Sequence, residues 1–191
     1  MEIIHSIDNA VVDFFISLHS SFLTGFFGFF TKINDKGVIW ISLTIILLIF
    51  KKTRKAGVLL AASLFVTTLL GEVVIKHLVC RERPFIQDDS IKLLITAPSG
   101  YSFPSNHTSS SFASATTIFL QNKRWGLCAF AVAILIATSR LYFTVHFMSD
   151  VFAGIILGVA VAVIVYATSK PIERKLLERK ALKTNLPSSE Q

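Results

Sequence analysis

Charge is scarce in this chain. Of 191 residues only 16% are Asp, Glu, Lys or Arg, while 52% are hydrophobic and the mean hydropathy is +0.63. A soluble domain carries about a quarter charged residues, so the deficit excludes an ordinary soluble globule and points to an integral membrane protein. Cysteine is nearly absent as well. Cys80 and Cys128 fall near opposite ends of apolar runs, which argues against a disulfide between them. Met1-Glu2 opens the chain without a basic n-region, so no cleavable signal peptide is expected. There is no internal repeat and no low-complexity segment, and the length suits one domain.

What charge there is leans basic, +7 net. Twelve of the nineteen Lys and Arg lie in three short segments: Lys51–Lys55, Lys123-Arg124, and Lys170 to Lys183. Each flanks an apolar run, the pattern of cytoplasmic loops under the positive-inside rule. A basic groove would not be split among helix ends, so nucleic acid is not expected as a partner.

The apolar runs give an all-α integral membrane protein, a bundle of five or six transmembrane helices behind an N-terminal amphipathic helix. Residues 1–20 place Ile4, Ile7, Val11, Phe14 and Leu18 on one side, with Asp8, Asn9 and Asp13 mostly on the other. That suits a helix lying along the membrane surface. Phe22–Phe30 dips in but is short and interrupted by Gly25 and Gly28. Val38–Phe50 is short for a ~30 Å hydrocarbon core. Ala56–Val79 is long enough and carries Glu72, Lys76 and His77 towards its far end. A polar connector, Cys80–Phe103, precedes a Ser/Thr-rich helix from about Ser105 to Leu120, as found inside membrane bundles. Leu127–Thr138 crosses back, and Val151–Ser169 is an uncharged final span with Gly154 and Gly158 in G-x-x-x-G spacing. Residues 1–170 read as one transmembrane domain and 171–191 as a polar cytoplasmic tail. With the basic segments inside, five crossings put both site-bearing loops on the outer face. Oligomeric state is not legible here.

Three polar blocks share that face. In the first, Lys76 and Arg83 are seven residues apart, two helical turns, so both project from one side of a helix end before Pro84. Two such cations suit a phosphate, or snorkel to the interface. Arg81 and Glu82 are offset and pair with each other or with solvent. In the second, Ser102–Thr108, Pro104 suits a helix start and Ser105 a cap. The free N–H groups there favour an anion, with His107 in the first turn. Asn106-His107-Thr108 also spells a glycosylation sequon, discounted at the mouth of a bundle. In the third, Ser139–Asp150, Arg140, His146 and Asp150 lie between apolar runs. His146 and Asp150 are four apart. On a helix the carboxylate holds one imidazole nitrogen and leaves the other a defined lone pair, as a nucleophile needs. The bland alternative has Ser149 and Asp150 capping the last helix and Arg140 snorkelling. Zinc is the rival use of two histidines and an aspartate, but three converging cations favour an anion, so no metal or other cofactor is expected.

Together the blocks resemble the type-2 phosphatidic acid phosphatase (lipid phosphate phosphatase) family. Its pattern reads here as Lys76…Arg83-Pro84, Pro104-Ser105-Asn106-His107, and Ser139-Arg140…His146…Asp150. One position departs: Asn106 stands where the family usually has glycine. Asn tolerates a left-handed conformation, and a polar residue there is similar to the aspartate of the bacterial undecaprenyl-diphosphate phosphatase branch. The resemblance spans Lys76 to Asp150. It implies a metal-independent hydrolase at the extracytoplasmic face of the cell membrane, acting on a lipid phosphate or diphosphate, undecaprenyl diphosphate before phosphatidylglycerophosphate or phosphatidic acid. It implies that His146 attacks phosphorus, Asp150 fixes its tautomer and His107 serves as acid and then base. Lys76, Arg83, Arg140, Ser105 and the backbone at Asn106 hold the phosphoryl oxygens. A lipid-phosphate transporter or binding protein is the non-enzyme alternative.

Overall fold

The computed structural model describes residues 2–184; the end of the expected tail, 185–191, lies outside the described residues. Within them the chain is helical, with no strand. In chain order the helices are α1 (Glu2–Ser17), α2 (Ser21–Ile33), α3 (Val38–Ile49), α4 (Arg54–Thr68), α5 (Lys76–Val79), α6 (Pro84–Gln87), α7 (Asn106–Gln121), α8 (Lys123–Tyr142) and α9 (Met148–Thr184). A π-helical stretch, Leu69–Ile75, joins α4 to α5 without a break. The last helix runs well past Ser169, through Pro171.

The bundle is built around α7. Every residue from Thr108 to Thr117 is buried, because α4, α8 and α9 all pack on this helix. Most of its hydroxyls find partners inside the bundle, Thr116 Oγ1 being buried without one. Ser114 Oγ donates to the Ser110 carbonyl at 2.8 Å, Thr117 Oγ1 to Ser63 Oγ at 2.9 Å, and Ser111 Oγ accepts from Trp40 Nε1 at 3.0 Å. Such bonds let a Ser/Thr-rich helix occupy an apolar interior. The paired glycines make the close approach possible. A Cβ on Gly158 would meet the Ser109 carbonyl oxygen at 2.3 Å, and one on Gly154 the Ser105 carbonyl oxygen at 2.8 Å. The spacing therefore seats α9 on the first turns of α7.

Three described stretches are by themselves long and apolar enough to cross a membrane: Arg54–Gln87, Lys123–Tyr142 and Met148–Ile172. A fourth is reached if α1 and the Ser21–Ile49 stretch, bent by 119°, count as one. The five crossings expected above also included α3 and α7, of 12 and 16 residues. Both are short, and α7 draws its place from tertiary packing rather than from hydropathy.

The N-terminal helix corrects one expectation. Its polar side is divided: Asp8 is buried, while Asn9 and Asp13 are exposed, as are Ile3, Ile4, Ile7 and Phe14. Much of the apolar face points outward, as a lipid-facing surface should, and Asp8 points into the protein.

Candidate active site

Antiparallel packing gathers the three polar blocks at one end of the bundle. The tight turn at Asn122, whose side chain caps α8, makes α7 and α8 antiparallel neighbours. Gly71, near the end of the α4–α5 rod, lies against Asn106 at the start of α7. The ends of α5 and α8 thus meet the starts of α7 and α9, and Lys51–Lys55 and Lys123-Arg124 fall at the opposite end.

His146 is buried in the 143–147 turn between α8 and α9. It precedes α9, so the helical i, i+4 geometry expected for His146 and Asp150 does not apply, yet the side chains still meet. His146 Nδ1 lies 3.5 Å from Asp150 Oδ2, a loose contact. Ser102 Oγ sits beside both, 3.5 Å from Nδ1 and donating a short hydrogen bond to Oδ2. The same Oδ2 accepts from the Phe147 N–H at 2.8 Å. Asp150 thus holds the turn as well as facing the ring. Burial pulls the His146 imidazole down to about 4; the Asp150 contact opposes this, while Arg83 and Arg140 add to it. The ring is neutral at ordinary pH, with a lone pair available.

The opposite nitrogen, Nε2, faces Arg83 NH1 at 3.4 Å. Arg83 does not share a helix face with Lys76. The helix ends at Cys80, whose φ of 49° turns the chain, and Arg83 is extended before Pro84. Most of its donors are committed to main chain. Nε bonds the Gly100 carbonyl at 2.9 Å, NH1 that of Val145 at 2.9 Å, and NH2 those of Ser99 and Tyr101, both at 3.2 Å. Arg83 therefore pins the connector to the 143–147 turn and keeps little more than the NH1 edge unspent. Lys76 is also buried, with Nζ 2.7 Å from Glu72 Oε2.

Arg140, in the last turn of α8, is buried and donates to Thr31 Oγ1 through NH1; its Nε has no partner. His107 lies near enough to Arg140, His146, Lys76 and Arg83 to feel their charges. It forms a wall between two cavities. One, of about 740 Å³, is lined by Thr31, Lys32, Asp35, Thr96 and Arg140. The other, of about 460 Å³, is lined by Ile41, Leu64, Phe65, Thr68 and Asn106. Ser105 is the residue before α7, but its hydroxyl accepts from Thr108 Oγ1 at 3.0 Å and makes no helix-capping bond. Its N–H is given to the Asp150 carbonyl at 3.1 Å, tying α7 to α9. The unspent donors of the first turn are those of the following residues. Asn106 adopts right-handed helical geometry, so the left-handed tolerance invoked for it is not used.

Three participants escaped the sequence. Arg81, expected to pair with Glu82 or with solvent, is held in a part-buried bridge: NH1 lies 2.6 Å from Asp150 Oδ1 and 2.7 Å from Ser149 Oγ, and NH2 lies 2.7 Å from Asp8 Oδ2. Asp8 and Ser102 are the other two. The arginine in Arg81-Glu82-Arg83-Pro84 was a visible signal; Ser102 gave none. Among the described residues no group of three or more His, Cys, Asp or Glu is placed to hold a metal ion. The cationic surroundings suit an anion instead.

This architecture is matched by known proteins. The model of the PAP2 superfamily matches residues 52–174, and the chain belongs to that family. An undecaprenyl-diphosphatase of Sulfolobus acidocaldarius is 37% identical over 137 residues, covering 71% of this chain and 66% of the relative. The fold is similar to that of a transmembrane PAP2-type phosphatidylglycerolphosphate phosphatase from Bacillus subtilis, with TM-score 0.75, 22% identity and coverage of 90% and 89%. It is also similar to Aquifex aeolicus LpxE, with TM-score 0.70, 29% identity and coverage of 87% and 93%. The chain spans between 50% and 66% of the length of the first curated relatives it matches.

Proposed function

We propose that this chain is a multi-pass membrane hydrolase that removes phosphate from a lipid phosphate or diphosphate, undecaprenyl diphosphate first among them. The observation that carries the reading is the setting of His146. A neutral imidazole has a carboxylate near Nδ1 and a guanidinium edge 3.4 Å from Nε2, with His107 and Arg140 beside it. The similarity to an undecaprenyl-diphosphatase and the polar Asn106 support that substrate over phosphatidylglycerophosphate or phosphatidic acid.

Nε2 of His146 attacks phosphorus as the bond from phosphorus to the leaving oxygen breaks. His107 gives that oxygen its proton. In the second step His107 takes a proton from water, whose oxygen displaces His146 and releases inorganic phosphate. Arg83, Arg140, Lys76, the Ser105 hydroxyl and the first N–H groups of α7 offset the charge spread over the phosphoryl oxygens. Acid catalysis by His107 contributes roughly 10²–10⁴-fold. The apolar cleft of Ile41, Leu64 and Phe65 takes the start of the lipid chain. No metal ion takes part. Residues 1–170 form the catalytic domain and 171–191 a cytoplasmic tail.

The test is phosphate release by purified protein in detergent with EDTA, against undecaprenyl diphosphate, phosphatidylglycerophosphate and phosphatidic acid. Undecaprenyl diphosphate is expected to turn over fastest, and strict dependence on added divalent metal would refute the mechanism. A transporter would keep ligand binding and transport in His146→Ala. The site faces the extracytoplasmic side of the cell membrane, since the basic segments lie at the other end of the bundle. Asp89→Cys, on the exposed connector, is accordingly expected to react with an impermeant thiol reagent in intact cells. Protection until the cells are lysed would reverse the orientation.

A further inference from the structure

Asp8, one of three acids on the N-terminal helix, has no part in the reaction above, yet it is almost completely buried. We propose that Asp8 is a positioning residue for the nucleophile: through Arg81 and Ser149 it fixes the Asp150 carboxylate that faces His146. The inference rests on the hydrolytic reading just given.

The contacts form one continuous chain. Asp8 Oδ2 lies 2.7 Å from Arg81 NH2 and accepts from Ser149 Oγ at 2.6 Å, while Oδ1 accepts the Ser149 N–H at 2.9 Å. Asp8 thereby caps the start of α9, one residue before Asp150. Arg81 carries the constraint onward, with NH1 2.6 Å from Asp150 Oδ1, and its guanidinium lies 4.1 Å above the Phe147 ring. A planar fork bridging two carboxylates sets direction as well as distance.

The consequence is a division of labour between the two oxygens of Asp150. Arg81 occupies Oδ1, so Oδ2 is the one turned to Ser102, the Phe147 N–H and His146 Nδ1. Without Asp8, Arg81 loses one of its two carboxylate partners and Ser149 both of its bonds to α1, and the Asp150 carboxylate is held less firmly against the ring. The phosphate-binding cations Lys76, Arg83 and Arg140 make no contact with Asp8, so substrate binding should be spared. With its outer face apolar, α1 is then part of the catalytic scaffold as well as a membrane-seated helix.

The experiment compares full-length wild type, Asp8→Asn, Arg81→Gln and the double variant in detergent, using undecaprenyl diphosphate as substrate and His146→Ala as the blank. Asp8→Asn is expected to lower kcat about 10–100-fold with KM within threefold of wild type. Because both residues act through one carboxylate, the double variant should be little worse than Arg81→Gln alone. A kcat for Asp8→Asn within twofold of wild type, or losses that multiply in the double variant, would overturn the proposal. Should Asp8→Asn fail to fold, Ser149→Ala removes only hydroxyl contacts. A loss in kcat of threefold or more at constant KM then supports the chain of contacts, and an unchanged kcat refutes it. Wild-type protein that releases no phosphate, or an active His146→Ala, overturns the hydrolytic reading and this proposal with it. Active wild type, inactive His146→Ala and unimpaired Asp8→Asn overturn this proposal alone.

Discussion

His146→Ala is expected to cut phosphate release by roughly 10⁴–10⁶-fold, the scale seen when a nucleophile is removed from an otherwise intact site, while the lipid phosphate still binds. Binding survives because the cations proposed to hold the phosphoryl group are fixed by other means: Arg83 by four backbone carbonyls, Arg140 by Thr31, Lys76 by Glu72. None of these anchors uses the imidazole. The chemistry has no substitute, since the other ring near the site, His107, is assigned to proton transfer. Two measurements check this. Phosphate release in detergent gives the rate. Quenching with substrate labelled at the terminal phosphorus shows whether label stays on the protein in an acid-labile, alkali-stable form, as a nitrogen–phosphorus bond requires. Label on the wild type and none on His146→Ala is the expected pair. His107→Gln with a substrate carrying a good leaving group should accumulate label, because the second step then lacks its base. Label or turnover undiminished in His146→Ala would place the nucleophile elsewhere.

The sequence disclosed the fold through its apolar runs and the site through residue types at fixed spacing, and it failed where geometry depended on an irregular backbone. The start of α7 at Asn106 falls one residue from expectation, because Pro104 and Ser105 are local signals read without tertiary knowledge. The ends of α8 are longer than the uncharged run Leu127–Thr138, since Lys123, Arg124 and Arg140 are tolerated at helix ends. Lys76 and Arg83 were placed together by a helical argument that does not hold. Cys80 in a left-handed conformation breaks the helix between them, and no glycine or proline at that position announces it. Both side chains are buried near the site all the same.

Asp8 shows the deeper limit. Periodicity divides a helix into two faces but does not say which medium each will meet. For a surface helix in water the polar face goes outward. In lipid the apolar face goes outward, and here one acid of the other side, Asp8, is turned into the protein, where it needs a partner. Arg81 is that partner, and the sequence hides the pair because Asp8 reads as facing water and Arg81 as meeting Glu82 or solvent. An acid on an amphipathic membrane helix and an arginine unclaimed by any motif are complementary signals, and their pairing is legible only when contacts 73 residues apart are known.

Asp150→Asn should lower kcat by about 10³–10⁴-fold, a loss comparable to that of orienting carboxylates elsewhere. The two side chains have nearly the same shape, so the effect must come from charge and donor pattern. Oδ1 faces the Arg81 NH1 donor and Oδ2 faces the Phe147 N–H. Both are obligate donors, and an amide must turn its NH₂ towards one of them, which displaces the group from His146. The same substitution acts on the pH profile with a definite sign. In the proposed mechanism neutral His146 is the active form, and burial holds it down to about 4. In the wild type kcat/KM should therefore rise with pH through about 4, with no further contribution from this group by about 6. Asp150 works against that depression, so removing its charge lets the imidazole fall further, and the acid limb should move below 4 in the variant. Using one substrate for both proteins cancels the substrate's own titration. Folding stability follows the same linkage: the unfolded chain takes up a proton near 6.5 that the folded chain refuses until about 4, so stability should fall as pH drops across that window. An acid limb near 6.5 in the wild type would mean that the imidazole is solvated, and an Asp150→Asn limb displaced upward would show that the carboxylate does not face the ring.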